Sequence, residues 1–253
     1  MLMVLDVGNT NLTIGVYDGP ALSHSWRLTT DRQRTVDEYG ILCRNLLQLA
    51  GIAHHSIANM AISSVVPPLD VILRKMARAY FGLDALFVDA TNCGMPILYD
   101  DPSEVGADRI VNAVAAFAKY GGPCIIVDSG TAITFDAVSS DGNYLGGIIC
   151  PGIQISAEAL FQRAARLRRV EIKKPKQIIG KNPTASVQSG LYYGNASLVD
   201  GVIEKMKDEM EPNAKVIATG GLAALIGPDS RYMETIDSDL TLEGLRLIFE
   251  RNS

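Results

Sequence analysis

The chain has 253 residues, of which 47% are hydrophobic and 20% are charged, and its formal net charge is −5. This balance is typical of a globular protein with a substantial core, and the acidic charge argues against binding nucleic acid through broad phosphate attraction. The sequence has no apolar run of membrane-spanning length and no leader pattern, and its four cysteines are widely spaced, as in proteins of a reducing compartment. We therefore expect a cytoplasmic protein that binds neither membranes nor nucleic acid.

Hydrophobic periodicity predicts strands and helices that alternate through the first half of the chain. The expected strands cover 1–7, 11–17, 24–29, 60–66 and 85–88, and the expected helices cover 36–50, 69–80 and 105–118. Tight turns at Gly8-Asn9 and at 17–20 join the first three strands, and Pro67 and Pro68 end the fourth. This order predicts a mixed sheet flanked by helices.

The second half repeats this order of elements. A hairpin begins at Ile125, strands follow at 144–150, 215–218 and 233–236, and helices are expected at 156–168, 185–210 and 242–251. We expect two similar α/β domains, 1–112 and 113–253. Because no flexible linker separates them, the pattern favours a hinged pair over independent modules.

The repeat is most evident in two hairpins whose aspartates, Asp6 and Asp128, lie 122 residues apart. In each copy an apolar strand ends in Asp, and a small residue, a Gly and small polar residues follow. The carboxylate can meet Mg²⁺ directly or through water, and a glycine turn lets backbone amides approach phosphate oxygens. A plain hairpin turn explains either copy alone, and a type I′ turn is the structural alternative for the second. The repetition favours a polyphosphate site.

Two further motifs carry polar chemistry. Gly106 to Arg109 begins the apolar helix 105–118, where Asp108 and Arg109 are the first charges of a segment that otherwise reads as buried. A solvated N-terminal Asp and Arg is the structural alternative, but buried charges are costly unless they are paired or functional. A base for a hydroxyl and a guanidinium for a carboxylate fit this pair. Thr219 to Ala223 places two glycines between a strand and a helix, as in a nucleotide-binding turn or a simple helix entry.

Two Asp-x-Gly hairpins with a late Thr-Gly-Gly resemble the superfamily of acetate and sugar kinases, heat-shock chaperone ATPases and actin. Within it, six motifs in order along the whole chain resemble type III pantothenate kinase. They are 6–11 (Asp-Val-Gly-Asn-Thr-Asn), 62–68 (Ile-Ser-Ser-Val-Val-Pro-Pro), 106–109 (Gly-Ala-Asp-Arg), 128–136, 146–152 and 219–223. The resemblance implies two ribonuclease H-like, actin-like ATPase domains and ATP-dependent phosphorylation of pantothenate to 4′-phosphopantothenate, the first step toward coenzyme A.

The resemblance also implies site residues, two separate cation sites and a homodimer. Asp108 is expected to be the catalytic base. The implied pantothenate-binding residues are Tyr99, Gly106, Ala107, Asp108, Arg109 and Thr184. The implied ATP-binding residues are Asp6, Val7, Gly8, Asn9, Thr10, Asn11, Leu12, Thr13 and Thr131. Asp6 is expected to meet Mg²⁺ through the phosphates and Asp128 to bind K⁺ or NH₄⁺, and a homodimer is expected, with the helix around Gly190 and Gly194 a candidate interface.

Ser129 departs from the family pattern, because family members often carry Phe after the second Asp. Two other functions stay open at this point. A chaperone-like or regulatory ATPase of the same fold would hydrolyse ATP without the tetrad at 106–109. A non-catalytic transcriptional accessory protein would bind ATP or pantothenate without turnover.

Overall fold

Residues 1–164 and 166–253, described by a computed structural model, form two five-stranded sheets. The strands of the first sheet are β1 (Leu2–Val7), β2 (Asn11–Asp18), β3 (Ala21–Thr29), β4 (Asn59–Ser64) and β5 (Leu86–Phe87). Those of the second sheet are β6 (Cys124–Ser129), β7 (Ala132–Val138), β8 (Tyr144–Pro151), β9 (Lys215–Thr219) and β10 (Thr235–Ile236).

The two sheets share one topology. Their orders are β3-β2-β1-β4-β5 and β8-β7-β6-β9-β10. In each, the first three strands form an antiparallel meander, and the last two run parallel to the first. The mixed α/β architecture and the repeat predicted from the sequence are therefore confirmed.

Helices connect the strands in both halves. They are α1 (Val36–Leu49), α2 (Pro67–Met76), α3 (Ala107–Tyr120), α4 (Ile153–Arg163), α5 (Pro183–Glu209), α6 (Ala223–Ile226) and α7 (Leu240–Arg251). Local chemistry sets several starts. Thr35 and Glu38 form a reciprocal capping box on α1, and the Asn182 side chain caps α5 by accepting from the Ala185 amide over 2.9 Å. Among the described residues, no helix has both the length and the apolar character of a membrane span.

Most predicted boundaries agree with the structure within a few residues, and two helices differ in their bounds. The helix expected from residue 69 begins at Pro67, because proline is tolerated in the first turn, where its missing N–H is not needed. The helix expected over 156–168 covers Ile153–Arg163 instead, and residue 165 lies outside the described residues.

Side chains along β1 alternate between the two faces of the first sheet, and one face packs in its core. Met3, Leu5 and Val7 point to one face and pack with apolar residues of α1 and α2. The opposite face carries Val4 and Asp6, so the strand delivers its carboxylate on the side away from that core. In the second sheet Ile125 and Val127 pack in the corresponding core.

Each sheet belongs to its own compact unit. The first unit comprises residues 1–95, 99–115 and 240–253, and the second comprises residues 96–98 and 116–239. The predicted division into 1–112 and 113–253 differs from this one chiefly at the C terminus, where residues 240–253 belong to the first unit, and at 96–98 and 113–115. Helix α7 packs against β1 in the first unit, with Leu240, Leu245 and Ile248 fully buried.

Candidate active site

The first phosphate turn predicted from the sequence connects β1 to β2. The Gly8 amide donates to the Asn11 carbonyl over 2.9 Å, and a Cβ on Gly8 would lie 3.1 Å from that oxygen. Gly8 is not among the glycines with positive φ, and no described non-glycine residue has positive φ. The turn is therefore not type I′, which needs positive φ at both central residues. Glycine serves here to let the backbone approach closely.

The eight residues of this segment, 6–13, include buried, half-buried and exposed positions, and Gly8 is half-buried. Val7 and Leu12 are buried in the core of the first sheet, so they can offer a ligand only backbone groups. Asn9, Thr10 and Asn11 are exposed, and their side chains carry the neutral donors of the turn. Asp6 and Thr13 are half-buried register partners across β1 and β2.

A segment that the sequence motifs did not indicate supports this turn. Thr30 donates its hydroxyl to the Gly8 carbonyl over 2.7 Å and its amide to the Thr10 carbonyl over 2.9 Å. Arg32 then donates to the Asn9 side-chain oxygen over 2.9 Å. The only signal in the sequence is the pairing of the second and third strands, which brings the residues after Thr29 beside the turn.

A hydroxyl-bearing residue lies beside each hairpin aspartate. Ser63 on β4 is the register partner of Asp6, and Thr219 on β9 is the register partner of Asp128. Partners on neighbouring strands project to the same face. Both residues are buried, and the Ser63 hydroxyl has no hydrogen-bond partner within the described part of the chain. Both positions lie within motifs named from the sequence, at 62–68 and 219–223, although neither is among the predicted site residues.

The tetrad that begins with Gly106 lies at the same end of the first sheet as the first turn. The Val65 amide, just beyond β4, donates to the Val7 carbonyl over 3.1 Å. A Cβ on Gly106 would lie 3.5 Å from Val65 Cγ1 and 2.7 Å from Asp108 Oδ1. The glycine therefore leaves room for the carboxylate, and α3 begins immediately after it. Arg109 is buried on this helix.

The Asp108 carboxylate combines partial burial with one firm hydrogen bond. Its Oδ1 accepts from the Arg109 amide over 2.8 Å. Burial raises the pKa of Asp108 above its ordinary value, while the Arg109 amide and the Arg109 charge act in the opposite direction. A carboxylate with a raised pKa is a better proton acceptor than an ordinary aspartate.

The second turn joins β6 to β7 and is enclosed by two glycines. The Gly130 amide donates to the Ala132 carbonyl over 2.9 Å, and the Gly152 amide donates to the Thr131 carbonyl over 3.2 Å. A Cβ on Gly152 would clash with the Thr131 carbonyl oxygen. Gly130 is also absent from the positive-φ glycines, so a type I′ turn is excluded here as well. Thr131 itself is exposed.

Asp128, the candidate cation ligand, is held beside the Thr-Gly-Gly turn. Gly220 has φ of +89°, and a Cβ on it would clash with Asp128 Oδ1 and lie 2.7 Å from the Ser129 amide. The Leu222 amide donates to the Ser129 carbonyl over 3.1 Å. The absence of a side chain at 220 therefore creates the space that the Asp128 carboxylate occupies.

The two remaining predicted substrate residues lie in separate units. Tyr99 belongs to the first unit and is 37% exposed. Thr184 belongs to the second unit and is exposed in the first turn of α5, directly after Pro183. Both side chains lie at the surface of their own unit.

The donor set for cations is sparse. Within residues 1–164 and 166–253, no group of three or more His, Cys, Asp or Glu side chains is arranged to hold a metal. A cation at Asp6 or Asp128 would therefore take most of its ligands from phosphate oxygens, water or backbone carbonyls. Mg²⁺ in nucleotide sites is commonly bound in this way, through one or two carboxylates and the phosphates.

Two surface depressions lie away from the predicted site residues. One of 600 Å³ is lined by residues that include Arg44 and His54, and one of 210 Å³ is lined by residues that include Lys207 and Arg231. The cationic groups here already have protein partners: Arg44 contacts His54, and Arg231 pairs with Asp200. Neither depression competes with the turns as a candidate site.

Two sheets of one topology, each opening with an Asp-x-Gly hairpin, define the ribonuclease H-like fold of actin-like ATPases and sugar kinases. Solved structures agree with this class. A Campylobacter jejuni protein named for a Baf family of transcriptional activators has a TM-score of 0.63 at 19% identity, over 99% of this chain and 98% of that one. An activator of 2-hydroxyisocaproyl-CoA dehydratase from Clostridium difficile, solved with ADPNP, has a TM-score of 0.58 at 12% identity, over 99% and 95%.

Sequence comparison identifies the family within this class. The family model for type III pantothenate kinases matches residues 2–205. A type III pantothenate kinase from Koribacter versatilis is 55% identical over 100% of this chain and 96% of its own length. The chain belongs to the type III pantothenate kinase family, as the motifs in its sequence indicate.

Proposed function

We propose that this chain transfers the γ-phosphoryl group of ATP to pantothenate and forms 4′-phosphopantothenate, the first step of coenzyme A synthesis. Membership of the type III pantothenate kinase family supports the reaction. The structural observation that carries it is the position of Asp108, a carboxylate of raised pKa at the sheet end that also bears the first phosphate turn.

Asp108 acts as the base in this proposal. The pantothenate hydroxyl oxygen forms a bond to the γ-phosphorus, the bond to the bridging oxygen of ADP breaks, and the hydroxyl proton moves to Asp108. Because an alcohol is a weak acid, the proton transfer comes late, and Asp108 orients the hydroxyl before it accepts the proton. Arg109 binds the carboxylate of pantothenate, and Gly106, Ala107 and Tyr99 of the same unit also contact the substrate. Thr184 of the second unit is proposed as a further pantothenate contact.

The first turn binds the phosphates of ATP. Asp6, Gly8 and the backbone of Val7 and Leu12 form its frame, and Asn9, Thr10, Asn11 and Thr13 supply neutral donors. Thr131 on the second turn binds a further phosphate. Donors of this kind stabilise the charge that develops in phosphoryl transfer and need little rearrangement, because the backbone already fixes them.

Two cations complete the proposed site. Asp6 would hold Mg²⁺ through the phosphates, and Asp128 would hold K⁺ or NH₄⁺. Bound Mg²⁺ neutralises phosphate charge. The close packing of Asp128 against Gly220 supports the second assignment, because it gives the carboxylate one fixed position from which a cation can be bound.

We further propose a cytoplasmic homodimer. Cys43, Cys93 and Cys124 are buried free thiols, and Cys150 is also free, which supports a reducing compartment. On α5, a Cβ at Gly190 or Gly194 would meet nothing within 4 Å. Small residues with open space beside them support a close approach of a second copy along this helix. Light scattering tests the dimer.

A coupled assay for ADP release, run with and without pantothenate, tests the function. We expect ADP release only when pantothenate is present, together with a product whose mass equals that of phosphopantothenate. Release without pantothenate would indicate an ATPase of the same fold. Absence of turnover from folded protein that binds ATP would indicate the accessory role.

A further inference from the structure

The contact between Arg32 and Asn9 extends the candidate site beyond the residues that the motifs identify. We propose that Arg32 is a positioning residue for ATP: it orients the side-chain amide of Asn9 so that the amide donors face the phosphates. The inference rests on the proposed function for the identity of the nucleotide.

The chemistry of the contact fixes the orientation of Asn9. Arg32 Nη2 lies 2.9 Å from Asn9 Oδ1. A guanidinium group can only donate hydrogen bonds, so the amide must present its oxygen to Arg32 and turn its NH₂ group away. That NH₂ group has no hydrogen-bond partner in the described part of the chain, and Asn9 is exposed. Two donors are therefore held in one direction beside the backbone of the turn.

The segment that carries Arg32 is anchored on both sides. Before it, Thr30 makes two hydrogen bonds to the turn, at Gly8 and Thr10. Around it, the Asp31 side chain accepts from the Gln33 amide over 2.9 Å, and the Asp31 carbonyl accepts from the Tyr39 hydroxyl over 2.8 Å. Arg32 therefore extends from a fixed backbone toward the turn and is not on a freely moving loop.

The contact is poorly suited to a stabilising role. Both Arg32 and Asn9 are exposed, and an exposed polar contact contributes little to folding because water competes for both partners. Its effect on a ligand is larger, because a donor that is already oriented loses less conformational entropy when the phosphate binds. The guanidinium also adds positive charge beside the turn of an acidic protein.

The test compares ATP dissociation constants by calorimetry, and steady-state kinetics, for wild type, Arg32→Ala, Arg32→Lys, Asn9→Ala and the double variant. We expect Arg32→Ala to raise the Kd and the KM for ATP by about tenfold, as loss of one oriented hydrogen bond predicts. The KM for pantothenate stays unchanged, and Arg32→Lys, which can still donate to Asn9, retains most of the affinity. Adding Arg32→Ala to Asn9→Ala produces no further loss.

Arg78→Ala is the matched control, because Arg78 is an exposed arginine of the same unit that pairs with Asp84. It should leave both constants unchanged, and all variants should keep the wild-type Tm. An unchanged ATP affinity in Arg32→Ala would overturn the proposal. The proposal would also be overturned if Arg32→Ala lowered the ATP affinity by the same factor in wild type and in Asn9→Ala, because Arg32 would then act on the phosphates directly. If wild type binds ATP without phosphorylating pantothenate, the proposed function fails, and the dissociation constants still test Arg32.

Discussion

Ser63 lies beside Asp6, because the two residues are register partners on the parallel strands β4 and β1. The Ser63 side chain is 1% exposed, and its hydroxyl has no hydrogen-bond partner among the described residues. A buried hydroxyl without a partner lowers the free energy of unfolding. Its position beside a proposed phosphate-site carboxylate suggests that it serves a bound ligand.

We expect Ser63→Ala to separate stability from activity. Removal of an unsatisfied hydroxyl should leave the free energy of unfolding unchanged or raise it by about 1 kcal/mol. The kcat/KM for ATP should fall by about tenfold if the hydroxyl contacts the nucleotide, its Mg²⁺ or a bound water. Urea denaturation and initial-rate kinetics measure the two effects.

Ser129→Ala is the matched control for this prediction. The Ser129 hydroxyl is equally buried and also lacks a partner in the described residues. Its side chain projects to the face of Val127, toward the core of the second sheet, and away from the face of Asp128. Ser129→Ala should therefore match Ser63→Ala in stability and keep full activity; equal activity in both variants would contradict the role of Ser63.

Asp108→Asn should lower activity and raise stability at the same time. Loss of the proposed base should reduce kcat by a factor of about 10² to 10⁴, with the Kd for ATP unchanged. Burial raises the pKa of Asp108 in the folded state. Ionisation of Asp108 therefore lowers the free energy of unfolding as pH rises from the unfolded pKa through the folded pKa, whereas at low pH the protonated side chain carries no such cost. The neutral amide avoids this loss, so the gain in Tm should appear at pH 7 and vanish in acid.

The same raised pKa predicts the acid limb of the pH profile. Asp108 must be ionised to accept a proton, so kcat should fall as pH decreases through a value above that of an ordinary aspartate. Asp108→Asn should lack this limb in its residual rate. A wild-type rate that stays constant down to the ordinary aspartate range would contradict the assignment.

Gly220→Ala should damage both the fold and the cation site. The backbone at Gly220 has φ of +89°, and the added methyl group would clash with Asp128 Oδ1. Such strain typically costs about 1–3 kcal/mol, and displacement of the carboxylate should raise the K⁺ concentration needed for activation. Thermal unfolding and a K⁺ titration against a bulky organic cation measure these effects.

Gly51→Ala is the control, because Gly51 also has positive φ, +72°, but a Cβ there would meet nothing within 4 Å. The substitution should cost about 1–3 kcal/mol of backbone strain without displacing any side chain. Its K⁺ response should equal that of wild type. If activity of wild type is indifferent to the monovalent ion, the role proposed for Asp128 is wrong.

Local patterns predict most of this fold because each element carries its own signal. The hairpins at Asp6 and Asp128 combine apolar strands with glycine turns, and period-3.6 patterns mark the helices. Packing between distant segments leaves no such signal. The C-terminal helix α7 has an ordinary amphipathic sequence, and its place in the first unit depends on contacts with distant segments. It packs against β1, and Thr241 donates a hydrogen bond to Asn112 on α3 over 2.7 Å.

The site shows the same division between local and distant information. Gly106 to Arg109 is contiguous, so its chemistry can be read from the sequence. Ser63 becomes a site candidate only through its register with Asp6, and Arg32 only through its contact with Asn9. In the sequence, an arginine after a strand looks like any exposed surface residue, and a serine within an apolar strand looks like a small residue of the core. Neither pattern indicates a binding site.

Asp237→Asn should weaken the second unit, most clearly above pH 4. The Asp237 carboxylate accepts from Lys119 Nζ over 2.6 Å and from the Tyr120 hydroxyl over 2.8 Å. Burial acts to raise the pKa of Asp237, but these donors and the Lys119 charge outweigh it and lower the pKa below its ordinary value. A folded pKa that lies below the unfolded value of about 4 adds stability above pH 4, and this contribution disappears as pH falls through the folded pKa.

In urea denaturation we expect Asp237→Asn to lower the free energy of unfolding by about 1 kcal/mol at pH 7, and by less toward pH 3. The loss is modest because Lys119 is 46% exposed and the pair is partly screened. Asp84→Asn, which removes the exposed partner of Arg78, should change stability little at either pH; an equal loss in both variants would refute the special role of Asp237.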